Sequence, residues 1–395
     1  MTPILRLCAL TLILGLAVAM PLRSANADPR KIGHVFIIVL ENEGYETTFG
    51  PKSPAKYLRS LAAQGALLSN YYGIGHASLD NYIAMISGQA PNPATQGDCF
   101  TYEEFVSKGT AADGQEIGQG CVYPANVLTI ANQLEVKGLS WKGYMGDMGN
   151  NPARENSTCG HPALGEKDRT QFAEKGDQYA ARHNPFVYFH AVIDSPSCTK
   201  RVVNARALAD DLKHVDTTPN LAFITPNLCD DGHDGGERGK CVDGAPGGLV
   251  SADAYLAKTV PQIIDSPAFK EDGLLIITFD EAEMHGRYDK VKKTYKITGG
   301  DASACCNEKA GPNTGTGGMI LGNPNRGPGI FGPGGGRIGA VLVSKFITPG
   351  TTSKRSYNHY SLLRTLENMF GVGHLGYAGQ QGLKAFGSDV FAGGD

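Results

Sequence analysis

Val35-Phe-Ile-Ile-Val-Leu40 is the segment that most narrows what this chain can fold into. Six consecutive apolar residues, most of them β-branched, suit a strand buried on both faces, and such strands occur in sheets covered by helices. The run then ends on Glu41-Asn42 instead of a glycine or proline turn. An ionised carboxylate at the end of a buried strand carries a heavy desolvation cost unless something pairs with it. The pattern predicts a partner for Glu41, supplied by other parts of the chain.

Strand patterns recur at Phe186–Phe189, Leu221–Ile224, Leu274–Phe279 and Ile338–Val343. Helical patterns separate them at Ala55–Gln64, Leu79–Ser87, Val127–Lys137, Asn204–His214, Ala252–Ile264 and Tyr357–Phe370. This alternation predicts an α/β fold with a largely parallel central sheet flanked by helices on both faces. Sites in such sheets lie beyond the carboxyl ends of the strands. Three of the expected strands end in oxygen-rich side chains: Glu41-Asn42, the stretch from Asn227 through Asp230, Asp231 and His233 to Asp234, and Asp280-Glu281. One such cluster could simply cap a helix. Three at one end of a sheet point to a shared polar site.

Residues 28–395 read as a single catalytic domain with insertions around 98–169 and 308–337. The first is polar and Gly-rich enough for a cap; the second, with GPNTGTGG and GPGIFGPGGG, reads as a surface loop or a lid. It is not a phosphate loop, because G-x-x-x-x-G-K-[ST] is absent. Residues 1–27 read as an export signal. Arg6 precedes the apolar stretch Leu7–Met20, and Ala25-Asn26-Ala27 fits a small-x-small cleavage site. Leu7–Met20 is short for a bilayer span, so no transmembrane anchor is expected after cleavage and the protein is expected to be secreted or periplasmic. Eight cysteines follow that segment, an even number that suits an oxidising compartment and up to four disulfides. Cys305 and Cys306 are expected to bond distant partners rather than each other. A net charge of −3 offers no basic surface for nucleic acid.

Ser78 precedes the apolar helical run Tyr82–Ile86 and falls at an expected helix N-terminus. A capping serine has that position, and so does a nucleophile whose phosphoryl oxyanion is stabilised by free N–H groups and the helix dipole. A serine hydroxyl needs activation. The G-x-S-x-G setting of a Ser-His-Asp hydrolase is missing, since Ser78 lies in His-Ala-Ser-Leu-Asp. Coordination to a divalent cation is the other route, and Glu41, Asn42, Asp280 and Glu281 suit it.

ENEGY, HASLDNYIAMISG, FITPNLCDDGHDG, LLIITFDE and NHYSLLRTLENMFG follow one another in this order. The set resembles the bacterial and fungal phosphoesterase family, of acid phosphatase and phospholipase C type, within the alkaline phosphatase superfamily. The resemblance implies a metal-bound serine nucleophile at Ser78 with Glu41, Asn42, Asp280 and Glu281 as ligands. It also implies Asn81 as a donor to the phosphoryl oxygens, Asp231, His233 and His359 as second-site ligands or phosphate contacts, and His76 facing the same pocket. Ala77 and Asp80 stand where the family commonly has proline, and Asp80 adds charge that could repel an anionic substrate or recruit another cation. The remaining histidines, His34, His161, His183, His190, His214 and His374, read as structural or surface groups, while His285 follows the acidic pair closely enough to reach it.

The resulting expectation is a secreted metal-dependent phosphoesterase, acid phosphatase-like, working through a phosphoseryl intermediate on Ser78 and acting on a phosphate-ester small molecule. Mg²⁺, Ca²⁺, Mn²⁺ and Zn²⁺ all remain open as the ion. Two alternatives stand beside it: a phospholipase C acting on phospholipid headgroups, and a catalytically silent, metal-stabilised secreted binding protein.

Overall fold

A computed structural model describes residues 32–236, 239–289, 294–314 and 334–391, with backbone alone for 285–289 and 294–298. The expected export signal, the side chain of His285 and residues 315–333 of the second expected insertion lie outside the described residues.

The core is a mixed α/β fold built on an eight-stranded sheet. Its strands are β1 (His34–Leu40), β2 (Ala66–Leu68), β3 (Trp141–Met145), β4 (Val202–Asn204), β5 (Leu221–Thr225), β6 (Gly273–Phe279), β7 (Ala340–Val343) and β8 (Thr351–Ser353). They lie in the order β8-β2-β7-β6-β1-β5-β3-β4. Every pairing is parallel except the two made by β7, with β6 and β2. β1 is central, all seven of its residues are buried, and so are all of β5 and β6. The continuous apolar runs are therefore the middle of a covered parallel sheet. Five longer helices accompany it: α1 (Lys56–Gln64), α2 (Ser78–Ser87), α3 (Ile130–Val136), α4 (Gly248–Ile264) and α5 (His359–Phe370). Among the described residues no helix is long and apolar enough to cross a membrane.

Two expected elements change. Phe186–Phe189 is not a strand. Pro185 starts a 3₁₀ turn over Pro185–Tyr188, and Phe186 fills the core by stacking on Trp141 at 4.7 Å and meeting Phe223 edge-on at 5.6 Å. The neighbouring strand is β3, which Gly143 and Lys142 conceal in the sequence pattern. Gly143 is required there, because a Cβ would come within 2.9 Å of the Phe186 ring. Asn204–His214 is likewise not one helix; Asn204 ends the edge strand β4, and only a 3₁₀ turn (Ala205–Ala207) and Leu208–Asp211 are helical. The stretch expected as a cap, 98–169, contains an outlying hairpin (Val106–Thr110 with Glu116–Gln119) but also contributes α3 and β3 to the core.

The cysteines form Cys99–Cys121, Cys159–Cys198, Cys229–Cys241 and the adjacent pair Cys305–Cys306. That last pair corrects the expectation of distant partners: the other six close among themselves and leave no thiol for either residue.

Two measurements check this arrangement. Non-reducing peptide mapping is expected to recover these four links, and a bond from Cys305 or Cys306 to any other cysteine would contradict it. Gly143→Ala is expected to overpack the Phe186 contact and lower the unfolding free energy by about 1–3 kcal/mol in denaturant titration.

Candidate active site

The carboxyl ends of β1, β5 and β6 meet the N-terminus of α2. Parallel register pairs Leu40 with Phe279, so the next residues, Glu41 and Asp280, leave the sheet side by side. The Asp280 N–H donates to the Leu40 carbonyl at 2.9 Å, and the Glu41 N–H donates to the Asp231 carbonyl at 2.9 Å. The polar loop after β5 is thereby drawn into the same corner. Asn42 turns the chain with a φ of 47°, a left-handed conformation that asparagine tolerates. Its N–H donates to Asp280 Oδ1 at 3.1 Å and its Nδ2 to Glu281 Oε1 at 2.9 Å.

Ser78 opens α2 directly after Ala77, whose φ of 136° is one that an alanine adopts only under constraint. Asn81 supplies part of that constraint. Its Oδ1 accepts from the Ile74 and Gly75 N–H groups at 2.7 and 3.2 Å, and its Nδ2 donates to the Gly75 and Ala77 carbonyls at 2.9 and 3.1 Å. With both ends of the amide engaged, Asn81 braces the turn. The Ser78 hydroxyl donates to Glu41 Oε2 at 2.8 Å. Tyr82, one turn along the same helix face, donates to the other oxygen of Glu41 at 2.6 Å.

His183 joins this group, although the sequence reads it as structural. Its Nδ1 lies 3.1 Å from Asp231 Oδ2 and its Nε2 3.3 Å from Glu41 Oε2. The ring stacks on Tyr82 with centroids 5.3 Å apart. A 3₁₀ turn, Ala181–His183, presents it, and the Thr225 hydroxyl at the end of β5 holds the His183 carbonyl at 3.0 Å. No motif marks this histidine; only chain folding brings it to β1. Glu41, His183 and Asp231 offer ligand atoms that all lie within 4.8 Å of one another, so acidic and histidine groups are placed to hold a metal ion.

The other expected residues form a ring around that group. His76 bonds Glu281 through Nδ1 and the Asp301 carbonyl through Nε2 at 3.0 Å. His233 contacts Asp234 and, at 3.3 Å, Arg182, while its N–H donates to Asp231 Oδ1 at 2.8 Å. His359 meets the Tyr71 hydroxyl at 3.0 Å and the Asp280 carbonyl at 2.5 Å, and so supports the backbone of Asp280.

Burial first, then the charges of Asp280 and Asp231, holds the Glu41 carboxyl well above the ordinary range. Asp280 is raised by burial and by Glu281, and Asp231 chiefly by burial. Burial and the nearby Arg182 and His233 push His183 well down, so its imidazole is neutral and free to act as a ligand. Asp80 is fully buried, and burial first, then the charges of Glu281, Asp98, Asp280 and Glu308, raise its carboxyl well above the ordinary range. Asn42 Oδ1, Asp280 Oδ2 and His183 Nε2 are buried without a hydrogen-bond partner. Two amide or carboxylate oxygens and one imidazole nitrogen left over in an acidic pocket are the donor set a divalent cation takes.

The model of the Phosphoesterase family matches residues 51–373. The chain belongs to that family. It is 28% identical over 254 residues to the phosphate-repressible acid phosphatase of Penicillium chrysogenum, covering 64% of this chain and 49% of that protein. It thus spans about half the length of this relative. It is 22% identical to the phosphatidylinositol-3-phosphatase of Mycobacterium tuberculosis, over 90% of this chain and 82% of that one. A solved protein from Vibrio parahaemolyticus, described as belonging to the alkaline phosphatase superfamily, superposes on 88% of this chain and 69% of its own with a TM-score of 0.46 and 13% identity.

The raised carboxyls set the sign of the pH dependence in the metal-free protein. A folded-state pKa above the unfolded value means that stability is present in acid and falls as pH rises from about 4 through the folded values. Chelator-treated protein is expected to melt at progressively lower temperature as pH rises from about 6.5 to 8, above the range in which the depressed His183 gives the opposite slope, and a divalent cation is expected to restore the loss. A melting temperature indifferent to both would count against the cluster as a cation site.

Proposed function

We propose that this phosphoesterase-family protein is an exported, metal-dependent hydrolase of phosphate esters, acid phosphatase-like, with Ser78 as nucleophile. The observation that carries the reading is the hydroxyl of Ser78 against Glu41, inside the cluster that Glu41 shares with His183 and Asp231 and at the N-terminus of a ten-residue helix. Glu41, Asn42, Asp231, Asp280 and His183 are the residues that would hold the ion, with Ser78 beside them. A divalent cation supplies charge that favours ionised oxygen at neutral pH and neutralises a phosphoryl group.

Each chain residue then has a task. Glu41 accepts the Ser78 proton as Oγ attacks phosphorus, and Tyr82 keeps that carboxylate from rotating. The positive end of the α2 dipole favours the negative charge that gathers on the phosphoryl oxygens. The Oγ–P bond forms as the ester P–O bond breaks, and the departing alkoxide takes a proton from water in the adjoining cleft, leaving a hydroxide. That hydroxide then cleaves the phosphoserine, Glu41 returns its proton to Ser78 Oγ, and phosphate leaves. Neutral His183 keeps its orientation through Asp231 and avoids adding a second positive charge. Four disulfides agree with an oxidising destination.

Ser78→Ala is expected to lower kcat more than about 10³-fold while leaving the circular dichroism spectrum unchanged. Acid quench during turnover is expected to trap phosphate on the peptide that carries Ser78. A wild-type rate in the variant, or label on another residue, rejects the mechanism. Chelation is expected to abolish turnover and cation add-back to restore it.

A further inference from the structure

A cleft of about 340 Å³ opens beside the cluster, with Asp98, Gln171, Arg182, His233 and Asp234 as the polar part of its lining and Phe100, Phe172 and Val242 as the apolar part. Its polar wall is one bond away from the site. Asp98 Oδ1 accepts from the N–H of Leu79, the residue after Ser78, at 3.0 Å. The His233 N–H reaches Asp231 at 2.8 Å, and Arg182 adjoins His183 in the chain. The cleft therefore adjoins Ser78 through Leu79 and adjoins the cluster through His233.

The apolar part of the lining is open. Phe172 is 73% exposed, and among the described residues it is the one Phe, Tyr or Trp in the exposed class. Phe100 lies beside it with ring centroids 6.3 Å apart at 54°, and Val242 is 47% exposed. The backbone that carries this lip is fixed. Arg154 donates to the Phe172 carbonyl at 2.9 Å, Arg182 to the Gln171 carbonyl at 2.9 Å, and Gln171 to the Asp98 carbonyl at 2.8 Å. Cys99–Cys121 and Cys229–Cys241 close immediately beside Phe100 and Val242. An isolated exposed apolar side chain needs no explanation, but an aromatic pair on a braced backbone, sharing a cleft with charged side chains, has the form of a ring-binding slot. Rigid aromatic walls recognise flat rings by offset or edge contact at low entropic cost.

We propose that this cleft is the leaving-group subsite and that it selects phosphate monoesters whose alcohol carries a flat aromatic ring, with Phe172 as the specificity-determining residue. The proposal rests on the reading of Ser78 as nucleophile and names the substrate class of that site.

The experiment compares phenyl phosphate, a nucleoside 5′-monophosphate and glycerol phosphate with the wild-type protein, Phe172→Ala and Phe172→Trp. Phe172→Ala is expected to raise KM for the ring-bearing esters about tenfold and to leave glycerol phosphate within about twofold, and Phe172→Trp is expected to restore the preference. The two aromatic esters differ in how far the ring lies from phosphorus, so the one that responds more sets the depth of the slot. Calorimetric binding of the same three esters to Ser78→Ala protein repeats the comparison without turnover. An equal change for all three esters, or none, in both formats overturns the subsite. Turnover that survives Ser78→Ala instead overturns the reading of the nucleophile, and the ring preference measured by binding is then judged separately.

Discussion

Three carboxylates, Glu41, Asp231 and Asp280, are buried together at the ends of three adjacent parallel strands, and the rest of the site follows from that crowding. Parallel pairing gives neighbouring strands the same polarity, so side chains that follow the last sheet residue emerge at one edge of the core. In a low dielectric they repel one another and resist ionisation. Each local hydrogen bond eases part of this: Ser78 and Tyr82 on Glu41, the Asn42 N–H on Asp280, the His233 N–H on Asp231. None supplies a full positive charge at the centre, and Arg182 stands to one side, against His233 and the Gln171 carbonyl. The acidic and histidine groups are thereby placed to hold a metal ion.

The serine is held in the same economical way. Helix α2 places Ser78 and Tyr82 on one face, so a single rigid element binds both oxygens of Glu41. The turn that leads into it, with Ala77 at an unfavourable φ, is braced by Asn81 from inside and by Glu281, which accepts from the Ala77 N–H at 3.3 Å and from His76. Such strain persists only where surrounding contacts over-determine it, and here they do. His359 extends the support outward: from the start of α5 it grips the Asp280 carbonyl while Tyr71 fixes its far nitrogen. The residues that surround the cluster thus act on position, and those inside it on charge.

Much of this was legible beforehand because it rests on local chemistry. A buried apolar run stopping on Glu41-Asn42, the same pattern at Phe279-Asp280, and a serine before a helical run all report features that sit within a few residues of each other. The exceptions have physical causes. Phe186–Phe189 has the composition of a strand, yet Pro185 and the packing of Phe186 on Trp141 make it a core-filling turn. Trp141–Met145 looks too polar and too interrupted for a strand, yet Gly143 is small because Phe186 presses on it.

What the amino-acid order by itself determined was the class of the fold, the polarity of its strands and the acidic chemistry at their ends, because apolar periodicity and residue type act through neighbours along the chain. Which histidine meets Glu41, which cysteines close on each other, and which aromatic pair borders the cleft were decided only by tertiary structure. His183 carries no local mark: its approach to β1 depends on a turn tied to the end of β5, a contact between segments far apart in sequence. Long-range packing selects such partners by shape and by the need to satisfy buried polar groups, and neither quantity exists until the sheet has formed.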